Sequence, residues 1–365
     1  MADRWIVVRD AAAGWLAHHW KSLAHWAVVL AAMGYLVWQL PELRRSAVEA
    51  GTPLEHLDWV WVAAAVGLGV GALMLYGELH RRLLVIGAAS VPVSTVQAIT
   101  FAENAISNTV PVVGGAGSIA YAITRLRRRG VDAALASWSV FLPGVMSMLT
   151  LVVLGMIVTA VGGSLPVAVA VPLIALTVTV AVAFWEVLTH RAVLRRLLVL
   201  LVHVGRRLPW LCHHCRRVWT VDPDGISARL ATRIGLLRPT PGQWVALIVV
   251  SVLTWTLDFL ALHASAAAVG VPASWTVLAL GFLAVQASIA LQVLPGGAGL
   301  AEAGLLGVLV ASGVAVAPAA ATVLIYRAIS WLGLSLIGWV VYAAEIHLAP
   351  PHRHRHAPET APHAS

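Results

Sequence analysis

Charged residues and cysteines are scarce in this chain. Only 11% of its 365 residues are charged, against about 25% in an average soluble domain, so the composition argues against a soluble globular fold. The two cysteines, Cys212 and Cys215, are too few for the disulfide framework of a small secreted protein. The sequence also lacks a Gly-x-x-x-x-Gly-Lys loop, so nothing in it indicates the use of ATP.

Long apolar segments take the place of the missing charge. Hydrophobic residues make up 60% of the chain, and its mean hydropathy is +0.86. A helix needs about 20 mainly apolar residues to cross a bilayer. Most of the apolar segments of this chain reach that length. All the apolar segments together are 23–40, 59–79, 91–111, 133–161, 166–188, 244–270, 275–294 and 318–344. The sequence therefore predicts an all-α polytopic membrane protein.

The positive charges are concentrated in clusters. Residues 189–242 contain ten Arg and two acidic residues, and further Arg clusters lie at 81–82 and 125–129. Such clusters mark the cytoplasmic side of a membrane protein and attract anionic lipid. We predict a multi-pass protein of the cell membrane with cytoplasmic termini, whose Arg-rich loop contacts anionic lipid of the inner leaflet. Nucleic acid is not an expected partner, because no binding module accompanies the charge.

A Pro/Gly-rich pattern occurs twice inside apolar segments. Residues 111–117 read Pro-Val-Val-Gly-Gly-Ala-Gly, and residues 295–299 read Pro-Gly-Gly-Ala-Gly. Irregular backbone at membrane depth persists only where protein or a water-filled cavity surrounds it, and paired interruptions are typical of transporter binding sites. After the first interruption, about 10 Å of helix precedes the Arg cluster, against a hydrocarbon core of about 30 Å. We predict two re-entrant hairpins, 91–124 and 275–312, that enter from opposite faces.

These elements predict an inverted repeat, in which a span, a Pro/Gly-broken hairpin and a span occur twice in opposite orientation. The alternative is a chance match between two segments rich in Gly and Ala, but the order and spacing of the neighbouring elements favour the repeat. The predicted division is a cytoplasmic segment 1–22, a first membrane half 23–188, the Arg-rich loop 189–242, a second half 243–345 and a disordered cytoplasmic tail 346–365. Residues 1–22 carry charges and paired His, so we expect no cleaved signal peptide.

Four ionisable residues stand out at predicted membrane depth, where each costs about 2.5–3.5 kcal/mol on insertion scales. They are Glu103, Asp258, Glu302 and Arg327. Glu302 and Arg327 lie in neighbouring elements of one predicted repeat, and a pair between them would lower the cost of both. One interpretation is a structural salt bridge between hairpin and span. The other is that Arg327 lines a cavity and binds a phosphate, which suits its planar set of donors.

The glycines of the two breaks offer a second means of binding anions. We expect helices to restart after Gly117 and Gly299, with free amides and the positive end of the helix dipole directed into the membrane interior. Glu302 in the first turn is an alternative partner for these amides. The predicted substrate-binding residues are therefore the four ionisable residues together with Gly114, Gly115, Gly117, Gly296, Gly297 and Gly299.

Residues 212–215 read Cys-His-His-Cys, which are metal-ligating residue types. Four adjacent residues cannot all reach one tetrahedral ion, and no second cluster lies nearby. We predict no bound metal and no cofactor.

In several of these residues, the chain resembles members of the lysylphosphatidylglycerol synthase transmembrane family. The resemblance implies a lipid flippase domain, which in the synthase proteins translocates aminoacylated phosphatidylglycerol made by an attached synthetase domain. Only about twenty residues follow the last apolar segment, so we expect a stand-alone member without that domain. The matching residues are Leu-Pro-Gly-Gly-Ala-Gly at 294–299, Glu302, Tyr326-Arg327, Ser330-Trp331, and Asn-Thr-Val-Pro at 108–111 with Gly114–Gly117.

The function that we predict is translocation of a phospholipid with an anionic or zwitterionic headgroup, through a cavity between the hairpins. A transferase is a second hypothesis, but no converging set of acid, base and metal or nucleotide ligands supports it, so we expect no enzyme activity. A third is a non-transporting partner that recruits a lipid-modifying or glycosylating enzyme through the Arg-rich loop. A second copy of the chain and a lipid-modifying enzyme are the candidate protein partners.

Overall fold

The computed structural model describes residues 56–110, 114–189, 239–291 and 295–347. Every regular element in these ranges is helical. Four of the described helices are long and apolar enough to cross a membrane: Trp59–Ile86, Ala133–Val161, Pro241–Ala268 and Val316–Ala344. The prediction of an all-α polytopic membrane protein is confirmed. The predicted span 23–40, nearly all of the Arg-rich loop and most of the predicted tail lie outside the described residues.

The described helices fall into two groups. The first contains α1 (Trp59–Ile86), α2 (Val93–Thr109), α3 (Gly114–Arg128), α4 (Ala133–Val161) and α5 (Val167–Thr189). The second contains α6 (Pro241–Ala268), α7 (Trp275–Ala290), a 3₁₀ turn (Pro295–Gly297), α8 (Leu300–Ala311), α9 (Val316–Arg327), a π-helical segment (Ala328–Gly333) and α10 (Leu334–His347). The last three elements form one continuous span. The order of a long helix, two short helices and a long helix is present in both groups.

Polar residues just outside the apolar segments begin several of these helices. Asp58 accepts a hydrogen bond from the amide of Val60, and Asp132 accepts one from the amide of Ala134. Thr240 and Gln243 form a reciprocal capping box at the start of α6. Each cap satisfies amides that have no partner within the helix, so these residues set where the long helices begin.

The long helices α1 and α6 pack against each other in antiparallel directions. The amide of Asp58 before α1 donates to the carbonyl of Ala268 at the end of α6, over 3.1 Å. At the other end of the bundle, Leu83 of α1 lies in one apolar cluster with Leu142 of α4 and Leu247 of α6. The end of α1 therefore lies beside the starts of α4 and α6.

The α2–α3 hairpin has both of its outer ends at this second end of the bundle. Arg129, just after α3, donates to the hydroxyl of Thr95 in the first turn of α2 over 2.9 Å. An apolar cluster joins Val96 of α2 and Leu126 of α3 to Leu84 of α1 and Leu135 of α4. The first and last turns of the hairpin are thus adjacent, and its tip lies between Thr109 and Gly114.

The α7–α8 hairpin has its outer ends at the opposite end of the bundle. Leu278 of α7 and Leu309 of α8 share an apolar cluster with Ala266 of α6 and Ala319 of α9. The tip of this hairpin is the 3₁₀ turn, which contacts α2 of the other hairpin. These contacts are those that two re-entrant hairpins from opposite faces would make. The inverted repeat across a membrane stays a prediction.

Close packing of α10 on α2 gives a first testable prediction. A methyl group at Gly338 would overlap the carbonyl oxygen of Phe101 and lie 2.7 Å from the Cβ of Ala105. We expect Gly338→Ala to lower the free energy of unfolding by about 1–3 kcal/mol through overpacking. The measurement is the unfolding midpoint of purified protein in one detergent.

Gly307→Ala is the matched control, because a methyl group at Gly307 of α8 meets no atom within 4 Å. We expect it to change stability by less than about 1 kcal/mol, in the stabilising direction. Equal midpoints for the two variants would contradict the packing of α10 on α2.

Candidate functional site

The tip of the α7–α8 hairpin is a turn that requires glycine. Gly296, Gly297 and Gly299 have φ angles of 59°, 69° and 82°, in the left-handed region that side chains with a Cβ disfavour. Gly296 also packs against the indole of Trp331, where a Cβ would have no room. The Pro-Gly-Gly-Ala-Gly sequence therefore forms a tight turn, buried at Gly296 and Gly297, that ends where α8 begins.

Glu302 and Arg327 form the predicted ion pair at this turn. The Nε of Arg327 donates to Oε1 of Glu302 over 2.7 Å, and Nη2 of Arg327 donates to the carbonyl of Gly296. The other carboxylate oxygen of Glu302 accepts from the amide of Gly299 over 2.6 Å. The Arg327 side chain is 3% exposed and that of Glu302 is 28% exposed. The pair thus fixes the turn to the last span. Glu302 also bonds to an amide at the start of α8, which is the alternative that the sequence predicted for this residue.

The π-helical segment that follows Arg327 reaches the other hairpin. The guanidinium carbon of Arg327 lies 5.1 Å from the ring centroid of Trp331, a cation–π contact. The indole N–H of Trp331 donates to the carbonyl of Asn108 at the tip of α2 over 3.1 Å. One helical turn of the last span therefore contacts the tips of both hairpins, and π segments occur frequently at functional sites.

Asp258 lies beside this arrangement and joins three helices. Its Oδ1 accepts from the hydroxyl of Tyr326 in α9 and its Oδ2 from the amide nitrogen of Gln286 in α7, each over 3.0 Å. Because Tyr326 precedes Arg327, the Asp258 network and the ion pair are anchored on the same turn of α9. Both carboxylate oxygens of Asp258 have a donor, which offsets much of the cost of burying the charge.

The glycines of the first break have a different role from the one expected. The expectation that a helix restarts after Gly117 is wrong, because α3 begins at Gly114 and contains Gly115 and Gly117 in its first turn. None of these three glycines has a positive φ. A Cβ on Gly114 would lie 2.8 Å from the carbonyl oxygen of Ser107, so this glycine permits close approach of α3 to the end of α2.

Glu103 does not bond to the residues around Arg327. It lies in α2 beside His80 of α1, with its Oε2 atom 3.9 Å from Nδ1 of His80. The structure therefore separates the predicted site residues into three groups, one of which is Gly114, Gly115 and Gly117 at the start of α3. Glu302, Arg327, Asp258, Gly296, Gly297 and Gly299 gather at the tip of the second hairpin, whereas Glu103 belongs to a contact between α1 and α2.

Sequence reasoning missed several polar contacts of the site. Gln286, the carbonyl of Asn108 and the Thr109–Trp339 pair, whose indole N–H donates to the hydroxyl over 3.0 Å, were not proposed as site residues. Gln286 could have been found as a polar residue within an otherwise apolar helix. A backbone carbonyl gives no such indication. Among the described residues, no group of three His, Cys, Asp or Glu could hold a metal, and residues 212–215 lie outside them.

The different exposures of Glu302 and Arg327 give a second prediction. Glu302→Gln leaves a buried guanidinium without its counter-charge, and we expect a loss of about 3–5 kcal/mol. Arg327→Met should cost less, because Glu302 still reaches solvent and the amide of Gly299. The double variant should lose less stability than the sum of the two single losses. Unfolding midpoints of all four proteins in one detergent measure this, and strictly additive losses would show that the pair does not stabilise the fold.

Comparison with known proteins identifies the family. The family described as "Lysylphosphatidylglycerol synthase TM region" matches residues 15–338, which is most of the chain and includes Glu302, Arg327 and Trp331. No curated protein matches the chain. The match confirms the resemblance that the Pro-Gly-Gly-Ala-Gly, Glu302 and Tyr326-Arg327 residues predicted. The chain belongs to the lysylphosphatidylglycerol synthase transmembrane family, and it is a membrane protein of lipid metabolism or transport.

Proposed function

We propose that this protein is a lipid translocase of the cell membrane, with cytoplasmic termini. In this proposal the headgroup of an anionic or zwitterionic phospholipid passes between the two hairpins while its acyl chains stay in the bilayer. The observation that carries it is the contact of one turn of the last span with both hairpin tips, through Arg327 to Gly296 and through Trp331 to Asn108. Broken helices that meet in the interior are typical of transporter binding sites.

Arg327 and the amide of Gly299, which both donate to Glu302, are donors of the kind that a phosphate needs. Helix N-terminal amides and a guanidinium are both common ligands of phosphate, and Glu302 accepts from one of each. We propose that the carboxylate of Glu302 occupies the phosphate position in the resting state. Its side chain is 28% exposed, so it can rotate away and leave Arg327 and the amide of Gly299 to a lipid phosphate.

Passage of a headgroup also requires that the hairpin tips separate. The hydrogen bonds that hold the first tip to the last span include those from Trp331 to the carbonyl of Asn108 and from Trp339 to the hydroxyl of Thr109, and α10 also packs closely on α2. Each of these hydrogen bonds contributes about 0.5–1.5 kcal/mol net. In the proposal, polar groups of the lipid headgroup replace them.

The recruiter hypothesis depends on the Arg-rich loop 189–242, nearly all of which lies outside the described residues. No contact among the described residues favours it over translocation.

Transport without catalysis is part of our proposal. An enzyme or a second copy of the chain as partner, and anionic inner-leaflet lipid at the loop, also remain proposals.

The third prediction concerns translocation in proteoliposomes that contain headgroup-labelled phospholipids. We expect the wild-type protein to move label between leaflets, and we expect Arg327→Ala and Glu302→Gln to lose most of this activity. Arg327→Ala removes the phosphate donor, and Glu302→Gln removes the carboxylate that must displace a bound phosphate before the headgroup can leave. The readout is the fraction of label that a membrane-impermeant quencher cannot reach over time.

Arg127→Ala is the control for loss of positive charge, because Arg127 is exposed at the end of α3 and outside the site. It should translocate at the wild-type rate. Well-folded wild-type protein that moves no lipid of a broad panel would overturn the translocase proposal.

A further inference from the structure

A second cluster of buried polar side chains lies between α1 and α2. His80 and Glu103 are 2% and 12% exposed, and their nearest N and O atoms are 3.9 Å apart, too far for a hydrogen bond. The ring of Tyr76 lies 5.1 Å from that of His80. Two buried atoms of this cluster, Nε2 of His80 and Oε2 of Glu103, have no hydrogen-bond partner. The cluster is thus polar, buried and incompletely bonded.

Three of the buried or half-buried carboxyl groups among the described residues, those of Glu302, Asp258 and Glu103, differ in their partners. Glu302 is bonded to a guanidinium and an amide, and Asp258 accepts from a hydroxyl and a side-chain amide. The carboxyl group of Glu103 lies near the imidazole of His80, and its Oε2 atom has no hydrogen-bond donor. A buried carboxylate that lacks donors is costly, and taking up a proton removes that cost.

The charged groups around this cluster are engaged with one another or with other residues. On α1, Arg81 and Arg82 both donate to Glu78, over 2.6 and 3.0 Å. On the α3 side, Arg125 lies over the ring of Tyr121 and Arg129 donates to Thr95. From α4 and α6, the residues that pack at this end of α1 are apolar side chains such as Met146 and Leu247. These contacts join the four cations to Glu78, Tyr121 and Thr95.

We propose that Glu103 and His80 together form a binding site for one proton, and that its occupancy sets how α2 packs against α1. With one proton bound, the pair is neutral overall. The protonated Oε2 of Glu103 can then donate a hydrogen bond to Nδ1 of His80 once the two atoms approach to about 3 Å. Release of the proton to water leaves one buried negative charge beside a neutral imidazole. The two states therefore favour different separations of α1 and α2.

This site is linked mechanically to the hairpin tip. Glu103 precedes Asn108 by five residues of one helix, about 8 Å along its axis. Movement of α2 relative to α1 therefore also moves the carbonyl of Asn108 relative to Trp331. Coupling of the proton to lipid movement rests on the proposed function, whereas proton binding itself does not.

Infrared difference spectroscopy of the full chain in lipid nanodiscs tests proton binding directly. We expect a pH change to produce the carbonyl band of a buried protonated carboxyl group. In the wild-type protein, labelling glutamate with ¹³C at the carboxyl group should shift this band. Glu103→Gln should remove the band and His80→Gln should shift its midpoint. Asp58→Asn, which changes an exposed carboxylate, should leave it intact. A wild-type protein without a glutamate band over the pH range in which it stays folded overturns the proposal, even if Glu103→Gln fails to fold.

Translocation assays with and without a proton gradient separate this proposal from the translocase proposal. Gradient-dependent movement that becomes independent of the gradient in Glu103→Gln supports coupling. A titrating band in a protein that moves no lipid would support the proton site and overturn the translocase proposal. Translocation by a protein without such a band would support the translocase proposal and overturn the proton site.

Discussion

The architecture depends on one turn of the last span, where Arg327 and Trp331 hold the tips of two hairpins. Arg327 bonds to the carbonyl of Gly296, and Trp331 bonds to that of Asn108. Both acceptors belong to hairpin tips, where backbone groups lack partners within a helix. Lipid cannot provide hydrogen-bond partners for these groups. The last span therefore supplies the donors that make these two helix breaks tolerable in an apolar environment.

The same constraint accounts for the polar residues of the core. An ionisable side chain in a membrane needs a partner or a function, and the described residues show both cases. Glu302 and Asp258 are bonded to groups on the same turn of α9, which fixes the second hairpin and α6 to the last span. Glu103 lacks such donors, and its position in the first hairpin gives the two halves different chemistry despite their similar order of helices.

Much of the fold could be predicted from sequence because membrane helices follow from the lengths of apolar segments. The segment 133–161 coincides with α4, and the pairing of Glu302 with Arg327 followed from the cost of isolated charges. The start of α3 at Gly114 was missed, since apolar and small residues alike permit a helix and only the packing on Ser107 fixes its first turn. The roles of the Asn108 carbonyl and of the π segment could not be predicted, because they arise when distant helices meet.

Measuring the distance between the two hairpin tips tests this account most directly. Spin labels at Ser107 and Leu300, in a chain whose two cysteines are replaced by Ser, report it by double electron–electron resonance in nanodiscs. The account predicts a tip-to-tip distance well below the hydrocarbon thickness of about 30 Å, and a distance near that thickness for a control pair at Ser90 and Ser274. Tips separated as widely as the control pair would mean that the hairpins cross the membrane completely, and would contradict a shared site at Arg327 and Trp331.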